Sequence, residues 1–506
     1  MKRFRVPMLM LKLLLAGFLL ILVPGVGKAA CHAVTPTGSG AKSGADWNNA
    51  MANLPATLVR GDTYYLADGT GYNFSNVGAP SGTIVTTVKK ATASDHCIDT
   101  GWNTSTMGSG QAGFTSLPGD GISYVTFDGN GAWTGAGCAA DGGVGGGCGI
   151  LVDDSGCTSN CHAIVLQNSD TGASNMTYRY IEMKGGNASQ PSEDFFYACC
   201  GDSPQVSNIL ISHMYMHNTW RTHILTRGTN NVTVEYSYLA HGAGTSAWHG
   251  ETWSENGSSN LTFRYNVVAG QGGTASLVSL GSNCSSAPPA CGRTSGWEIY
   301  GNTWFSYASD SGNFGWTANG TVACINQGLE CDNFHIYNNT IANQTNTGSA
   351  NQVGFTNFPD GTNHITSGWV CENNLIYNIG SGVGIAMDCG GGTEDHNTIV
   401  FSGSRSLSGA GDVVTASNDN KFGNSNPTSP AMGTWTLTGE TSSYTAGLSL
   451  SASSPGGCTA RLNCYNIDAR QVVRGSSGAW DRGAYQFDSG SASQPSPPQN
   501  LQAIVQ

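Results

Sequence analysis

Charge is what this sequence has least of. Asp, Glu, Lys and Arg make up 11% of 506 residues, and the shortage is on the basic side, with 21 Lys and Arg against 33 Asp and Glu. Five of the basic residues (Lys2, Arg3, Arg5, Lys12 and Lys28) fall in the first 28 positions, where no acidic residue occurs. A chain beginning at residue 30 therefore carries sixteen basic against 33 acidic side chains, a balance of −17. That excludes nucleic acid as a natural partner, because phosphate backbones need a basic surface. It also disfavours polyanions unless a local patch or a bridging cation intervenes. Two further absences narrow the fold. Past residue 30 no apolar run is long enough to span a bilayer. Past residue 60 there is no long 3.6-residue periodicity, so a helical architecture is excluded.

The N-terminus reads as a processing segment. Lys2, Arg3 and Arg5 form a positive start, Leu13 to Val23 is an apolar run, Pro24 and Gly25 break it, and Gly27 and Ala29 bracket Lys28 as a cleavage site. This is the pattern of a secretory signal peptide over residues 1–29. Lys28 fits a lipid-attachment site on Cys31 badly. Sixteen cysteines in an exported chain imply disulfides. Cys138/Cys148, Cys157/Cys161, Cys284/Cys291, Cys324/Cys331, Cys371/Cys389 and Cys458/Cys464 are close enough to staple local loops, leaving Cys31, Cys97, Cys199 and Cys200. "CTSNCH" (157–162) reads as a bridged loop rather than a haem attachment.

Glycine is plentiful, at 71 residues, and a nine-residue pattern recurs between the loops. It runs NMTYRYIEM from 175, NILISHMYM from 208, NVTVEYSYL from 231, NLTFRYNVV from 260, GWEIYGNTW from 296, NFHIYNNTI from 333 and GWVCENNLI from 368. Degenerate copies stand at 124 (YVTFDGNGA) and 391 (GGTEDHNTI). The second, fourth and ninth columns are apolar, which predicts a strand with one buried face. The seventh column becomes Asn266, Asn302, Asn339, Asn374 and Asn397. Amides stacked at strand spacing, about 4.8 Å, can bond one to the next. Repeats of this kind mean a β-solenoid whose second, fourth and ninth columns, Ile336 among them, fill the bore.

On these repeats and their asparagine column the chain resembles the secreted right-handed parallel β-helix proteins of the pectate-lyase-like superfamily. Two ends carry the resemblance further. "ADWNNAMANLPATLVRGDTYYLADGTGYNF" (45–74) resembles the family's capping helix, placed at 46–54, and its first strand; "WDRGAYQF" (480–487) resembles its closing strand. The chain lacks the ordered Asn-Thr-Asp, Asp-Asp, His-Gly and Arg-Ile-Lys set of the polygalacturonase-like members. The expected organisation is a signal peptide (1–29), an N-terminal segment with a capping helix (30–60), an all-β parallel β-helix (61–488) and a Ser/Pro-rich linker tail (489–506). The fold leaves the activity open, since β-helices host lyases, hydrolases and adhesins.

The charges divide when set against the repeat. Glu235 and Arg264 occupy one column on adjacent rungs, which predicts an exposed ion pair. His213 shares a column with Tyr180, Tyr236 and Tyr265 and reads as a packed ring, while His335 shares one with threonines and reads as surface. Between the repeats lie strands expected to form a second sheet: "FFYACC" (195–200), "THILTRG" (222–228), "WHGETWSEN" (248–256), "ASLVSLG" (275–281), "VACINQG" (322–328), "VGFTNF" (353–358) and "GIAMD" (384–388). Polar groups concentrate on three of these rungs. Arg221, His223 and Arg227 mark one, His249, Glu251 and Glu255 the next, and Glu193 and Asp194 the one before. A gapless alignment of Gly228 with Gly257 places Thr222 beside Glu251. Aromatic rings accompany the cluster (Phe195, Tyr197, Trp220, Trp248 and Trp253), as sugar-binding pockets require.

Three functions fit this cluster. A uronate lyase needs a base, a cation against the substrate carboxylate and an acid for the leaving oxygen. His249 or His223 would be the base, Arg221 or Arg227 the carboxylate partner, and Glu193, Asp194 or Glu251 ligands for a bridging Ca²⁺. A hydrolase of neutral glycans needs two carboxyls roughly 5 to 9.5 Å apart, and Asp194 with Glu251 is the pair that spans rungs. A non-catalytic glycan-binding or adhesin solenoid needs neither. The candidate catalytic residues are therefore His249, Glu251, Arg221 and His223. The candidate substrate contacts are Arg227, Asp194, Trp248, Trp253 and Tyr197, and Glu193 and Asp194 are the candidate Ca²⁺ ligands. The expected partner is an extracellular polysaccharide, met by a monomer without a membrane span.

Overall fold

The structure is a computed structural model that describes residues 29–74, 78, 81–132, 147–156, 158, 161–167, 172–186, 194–198, 206–242, 250–270, 276–280, 293–305, 320–325, 330–342, 352–358, 367–379, 384–387, 389, 392–401, 409, 412–415, 468, 474, 480 and 482–484. The signal segment and the linker tail lie outside them, apart from Ala29. The described strands form three sheets of 13, 12 and 8 strands, here called sheets 1, 2 and 3, in which neighbours are successive coils. One coil runs Thr222–Arg227 in sheet 3, Asn230–Glu235 in sheet 1 and Tyr238–Ala240 in sheet 2, then returns to sheet 3 at Trp253–Asn256. All strand pairs are parallel, as in Met176 beside Ile209, Ile209 beside Val232 and Val232 beside Leu261. This is a right-handed parallel β-helix, and the between-repeat strands form sheet 3 as expected.

The nine-residue pattern maps onto the coil by alternation. Its second, fourth and ninth columns all lie in one buried core: Trp297, Phe334 and Trp369 from the second, Phe263 and Ile336 from the fourth, Met216 and Trp304 from the ninth. Rings stack up the bore, with Phe334 and Trp369 4.6 Å apart at 12°. The sixth column is the corner between sheets 1 and 2, and it is left-handed in all seven full copies of the repeat: Tyr180, His213, Tyr236, Tyr265, Gly301, Asn338 and Asn373 have φ between 49° and 68°. The first column, near the head of the sheet-1 segment of each repeat, is also left-handed, at Asn175, Asn208, Asn231, Asn260, Gly296, Asn333 and Gly368. Asparagine and glycine recur there because they enter that region at least cost.

One residue past the sixth-column corner, the seventh-column asparagines turn inward and bond along the axis. Asn302 donates from Nδ2 to the Phe263 carbonyl at 2.7 Å and to Asn339 Oδ1 at 3.0 Å. Asn339 does the same to Ile299 and Asn374, and Asn374 to Ile336 and Asn397. Each Oδ1 also accepts the backbone amide of the asparagine in the preceding coil, as Asn339 does from Asn302 at 3.1 Å. The ladder thus satisfies buried corner amides and carbonyls that no strand bond reaches.

Several expectations are corrected. Residues 46–54 hold no capping helix but a single 3-10 turn, Trp47–Asn49, followed by the strand Met51–Ala52, which pairs with Cys31–Thr35. Trp47 is drawn inward, its indole donating to the His96 carbonyl at 3.0 Å, and Ala50 turns extended. Segment 30–60 is continuous with sheet 1, since Cys31 pairs with Thr63. The Glu235–Arg264 pair is real, with Nε to Oε2 at 2.7 Å, but only 17% of the Arg264 side chain is exposed and Tyr300 adds a bond at 2.9 Å. His335 is buried, 2.7 Å from Glu298. His213 is the packed ring expected, 4.7 Å from Tyr180 and 5.1 Å from Tyr236. Disulfides join Cys324 to Cys331 and Cys371 to Cys389, as their spacing predicts, and Cys31 to Cys97. Cys148 and Cys161 are also disulfide-bonded, and no free cysteine is found among the described residues.

Replacing Asn339 with Ala leaves the Ile299 carbonyl and the Asn302 amide without partners. At about 1–3 kcal/mol for each buried group left unsatisfied, stability should fall by about 2–6 kcal/mol, read as a lower calorimetric melting temperature.

Candidate functional site

Each coil enters sheet 3 from sheet 2, and the entry residues form one column. His162 stands beside Asp194, and Asp194 beside Thr222. Ile224 pairs with Trp253, and the His223 amide donates to the Glu251 carbonyl at 3.3 Å, so Glu251 follows Thr222 on the next rung. The gapless alignment of these rungs therefore holds.

Asp194 is the centre of this column and is fully buried. The Thr222 hydroxyl donates to its Oδ1. Arg221 Nη1 donates to its Oδ2 at 3.1 Å, and His162 Nδ1 stands 3.5 Å from the same oxygen. Burial pushes the Asp194 carboxyl up from its ordinary range, opposed by Arg221, Thr222 and His162. The outer members of the cluster meet solvent: 21% of the His162 side chain and 24% of that of Arg221 are exposed. The His162 ring lies flat on Tyr197, with centroids 3.8 Å apart at 13°. Burial pushes the imidazole down, Asp194 opposes this and Arg221 adds to it. Burial likewise pushes the Tyr197 phenol up, and Asp194 adds to that. The surface thus offers a neutral imidazole, a neutral phenol and a guanidinium.

Other residues expected at the site lie elsewhere. His223 is fully buried, its Nε2 against the Ala240 carbonyl at 3.1 Å, and burial takes its pKa down to about 3. It is a packed core ring that no polymer reaches. Trp253 is also in the core, wedged 4.8 Å from Trp297 with its indole bonded to Thr226 Oγ1 at 2.8 Å, so it offers no face to a sugar. Phe195 is in the core too. Glu251 is fully buried, which removes the Asp194–Glu251 carboxyl pair as a hydrolytic dyad. Arg227 is partly exposed but ends its strand, five residues from Thr222, roughly 16 Å along it at the usual rise. Glu255 is buried, its Oε2 accepting the Ser258 amide at 3.1 Å and its Oε1 the Ser279 hydroxyl. His249, Trp248 and Glu193 lie outside the described residues. His162 is the one member of the cluster that the sequence reading does not include. Its signal is present in "CHAIVLQ" (161–167), a sheet-3 strand directly ahead of "FFYACC", where the cysteines of the preceding loop mask it.

The Ca²⁺ expectation does not fit Asp194. Both of its oxygens are engaged, one by Thr222 and one by a guanidinium that a divalent ion would have to displace. Among the described residues no three His, Cys, Asp or Glu side chains converge as a metal site. No helix among them is long and apolar enough to cross a membrane.

No family model and no curated protein matches the chain. Solved structures resemble it at low identity. The pectate lyase Pel9A is 12% identical over 92% of this chain and 98% of that one, with a TM-score of 0.38. A mannuronic acid specific polysaccharide family 6 lyase from human gut microbiota is 12% identical over 77% and 92%, with a TM-score of 0.32. The PL6 family alginate lyase AlyGC is 14% identical over 71% of this chain and 51% of its own length, with a TM-score of 0.29. The fold is a right-handed parallel β-helix. That assignment rests on the three parallel sheets and leaves the chemistry to the site.

Two titrations follow from the geometry. Removing the Arg221 charge takes away one influence that holds the His162 ring down, so Arg221→Gln should raise the pKa of His162 in an NMR titration. Burial raises Glu255 above its ordinary value of 4.5. The stability tied to that proton is present below 4.5 and lost as pH rises through the folded pKa. Glu255→Gln should abolish this component of the melting-temperature profile.

Proposed function

We propose that the chain is a secreted polysaccharide lyase that cleaves a uronate-containing glycan at the corner where sheet 3 begins. The observation that carries this reading is His162 stacked on Tyr197 beside Arg221, all three partly exposed. β-Elimination needs those three roles. Arg221 faces the uronate carboxylate and offsets the charge that builds on it as the neighbouring C–H bond breaks. His162, neutral because it is largely buried, takes that proton. Tyr197, held protonated, gives its proton to the leaving glycosidic oxygen as the C–O bond breaks and the ring double bond forms. Asp194 touches no substrate in this scheme. It positions His162 and Arg221 from beneath.

Export is supported by the signal-like segment and by the disulfides. In this reading the chain acts as a monomer on an extracellular polysaccharide, and no step of the elimination is assigned to Ca²⁺.

Incubation with a panel of polyuronates and neutral glycans tests the reading. Elimination gives the ultraviolet absorbance of an unsaturated uronate. Arg221→Ala and His162→Ala should each cut its rate by roughly a hundredfold or more, the usual scale for a lost acid–base group; melting temperature should change little in His162→Ala and fall in Arg221→Ala, which leaves the buried Asp194 carboxylate without its ion-pair partner. New reducing ends without that absorbance would mean hydrolysis. Neither product, with retention of a glycan, would mean a binding solenoid.

A further inference from the structure

The last described residues do not extend the solenoid. Val413–Thr415 is the last strand described, and residues 482–484 lie back against coils formed earlier in the chain. Arg482 is buried, and its Nη1 donates to the Asn397 carbonyl at 3.0 Å and to Thr398 Oγ1 at 2.9 Å. The Gly483 amide donates to the Asn373 carbonyl at 2.7 Å. The Ala484 amide donates to Thr340 Oγ1 at 2.9 Å. Three consecutive residues therefore bind three successive coils, in reverse order of their formation. Arg474, also buried, ties the segment to itself by donating to the Gly483 and Ala484 carbonyls at 3.0 and 2.9 Å.

The fit is specific. Gly483 has φ +90°, and a Cβ on it would stand 2.6 Å from Thr340 Oγ1 and 3.1 Å from Leu375 Cβ. Both guanidinium groups donate to carbonyls, and Arg482 also to a hydroxyl, and bonds from a charged donor are stronger than neutral ones. The segment follows the corner that holds the asparagine ladder, and it bonds to backbone carbonyls of that corner.

A solenoid coil bonds only to its neighbours, so a free end frays one coil at a time. We infer that residues 482–484 form a clasp that makes the coils from Thr340 to Phe401 open as one unit. Lifting the coil of Thr393–Phe401 breaks the Arg482 bonds. With Arg482 gone, the adjoining Gly483 and Ala484 bonds to the two coils beneath lose their link to the third. The candidate site lies in the coils of His162 to Thr222, several rungs away, and is independent of the clasp.

Hydrogen exchange on the full chain, read by mass spectrometry, tests this. In the wild type, segments 333–342, 368–379 and 393–401 should share one level of protection. Arg482→Ala should lower all three together by roughly tenfold or more, the scale of one lost charge-assisted bond. Thr340→Val is the sharper variant. It removes only the acceptor of the Ala484 amide, on the first of the three coils, and should still deprotect 393–401 on the last. Segment 207–240 should be unchanged in both variants. Protection graded inward from 393–401 in the wild type would overturn the clasp. So would a Thr340→Val effect confined to 333–342, an absence of effect, or an equal loss at 207–240.

Discussion

Everything in this molecule depends on parallel stacking of like on like. Once each coil sits on the last in register, every side chain meets its counterpart about 4.8 Å above and below, and a residue type survives only where it tolerates its own kind as neighbour. Apolar rings do so in the bore. Asparagine does so at the corner because its amide is both donor and acceptor, so Asn302 can accept from Asn266 and donate to Asn339 without changing conformation. The ladder ends where that symmetry is given up. Asp412, an acceptor alone, takes the last amide, from Asn397, and Ser237 donates the first, to Asn266.

Charged side chains do not tolerate their own kind, and the same constraint pairs them. Arg179 meets Asp128, Arg264 meets Glu235, and His335 meets Glu298 on adjacent rungs of sheet 1. His217 meets Glu182 on sheet 2. A polar cluster on a solenoid is thus most often a column neutralising itself, and its presence is weak evidence of chemistry. The corner at Asp194 differs because its outer members remain available. His162 and Arg221 share one buried carboxylate between them, and both still reach solvent.

The fold is legible in the sequence because columns are. Three apolar columns and one asparagine column specify strand, face, corner and register together, and the register pairs Leu261 with Trp297 and Trp297 with Phe334 as the repeat does. The corners themselves are harder to see. Left-handed backbone at Tyr180 or His213 leaves no compositional mark, whereas the Asn/Gly column that opens each repeat does mark its left-handed position. The site is legible only as a neighbourhood. Alignment fixes which residues share a rung. It does not show that His223 and Trp253 turn into the core, because inward and outward positions lose strict alternation where the chain enters a strand from a loop. The capping helix fails for a related reason: Trp47 occupies a buried niche beside Trp102 that a helix would pull it from.

Loop lengths explain why the partly exposed polar cluster stands at one corner. From Ser212 to Asp395 the link between sheets 1 and 2 is always two residues, as between Ser212 and Tyr215 or Asp395 and Thr398. Any insertion there would break the asparagine ladder and leave buried amides unpaired. The link from sheet 2 to sheet 3 carries no ladder and varies freely: four residues separate His217 from Thr222, nine separate Lys184 from Asp194, and twelve separate Ala240 from Trp253. Variation is tolerated where no axial bond forbids it, and function settles where variation is tolerated. The rigid corner fixes the rung positions, and the variable corner places His162 and Arg221 at the edge of that frame over the buried Asp194, packed enough to be held and still partly exposed.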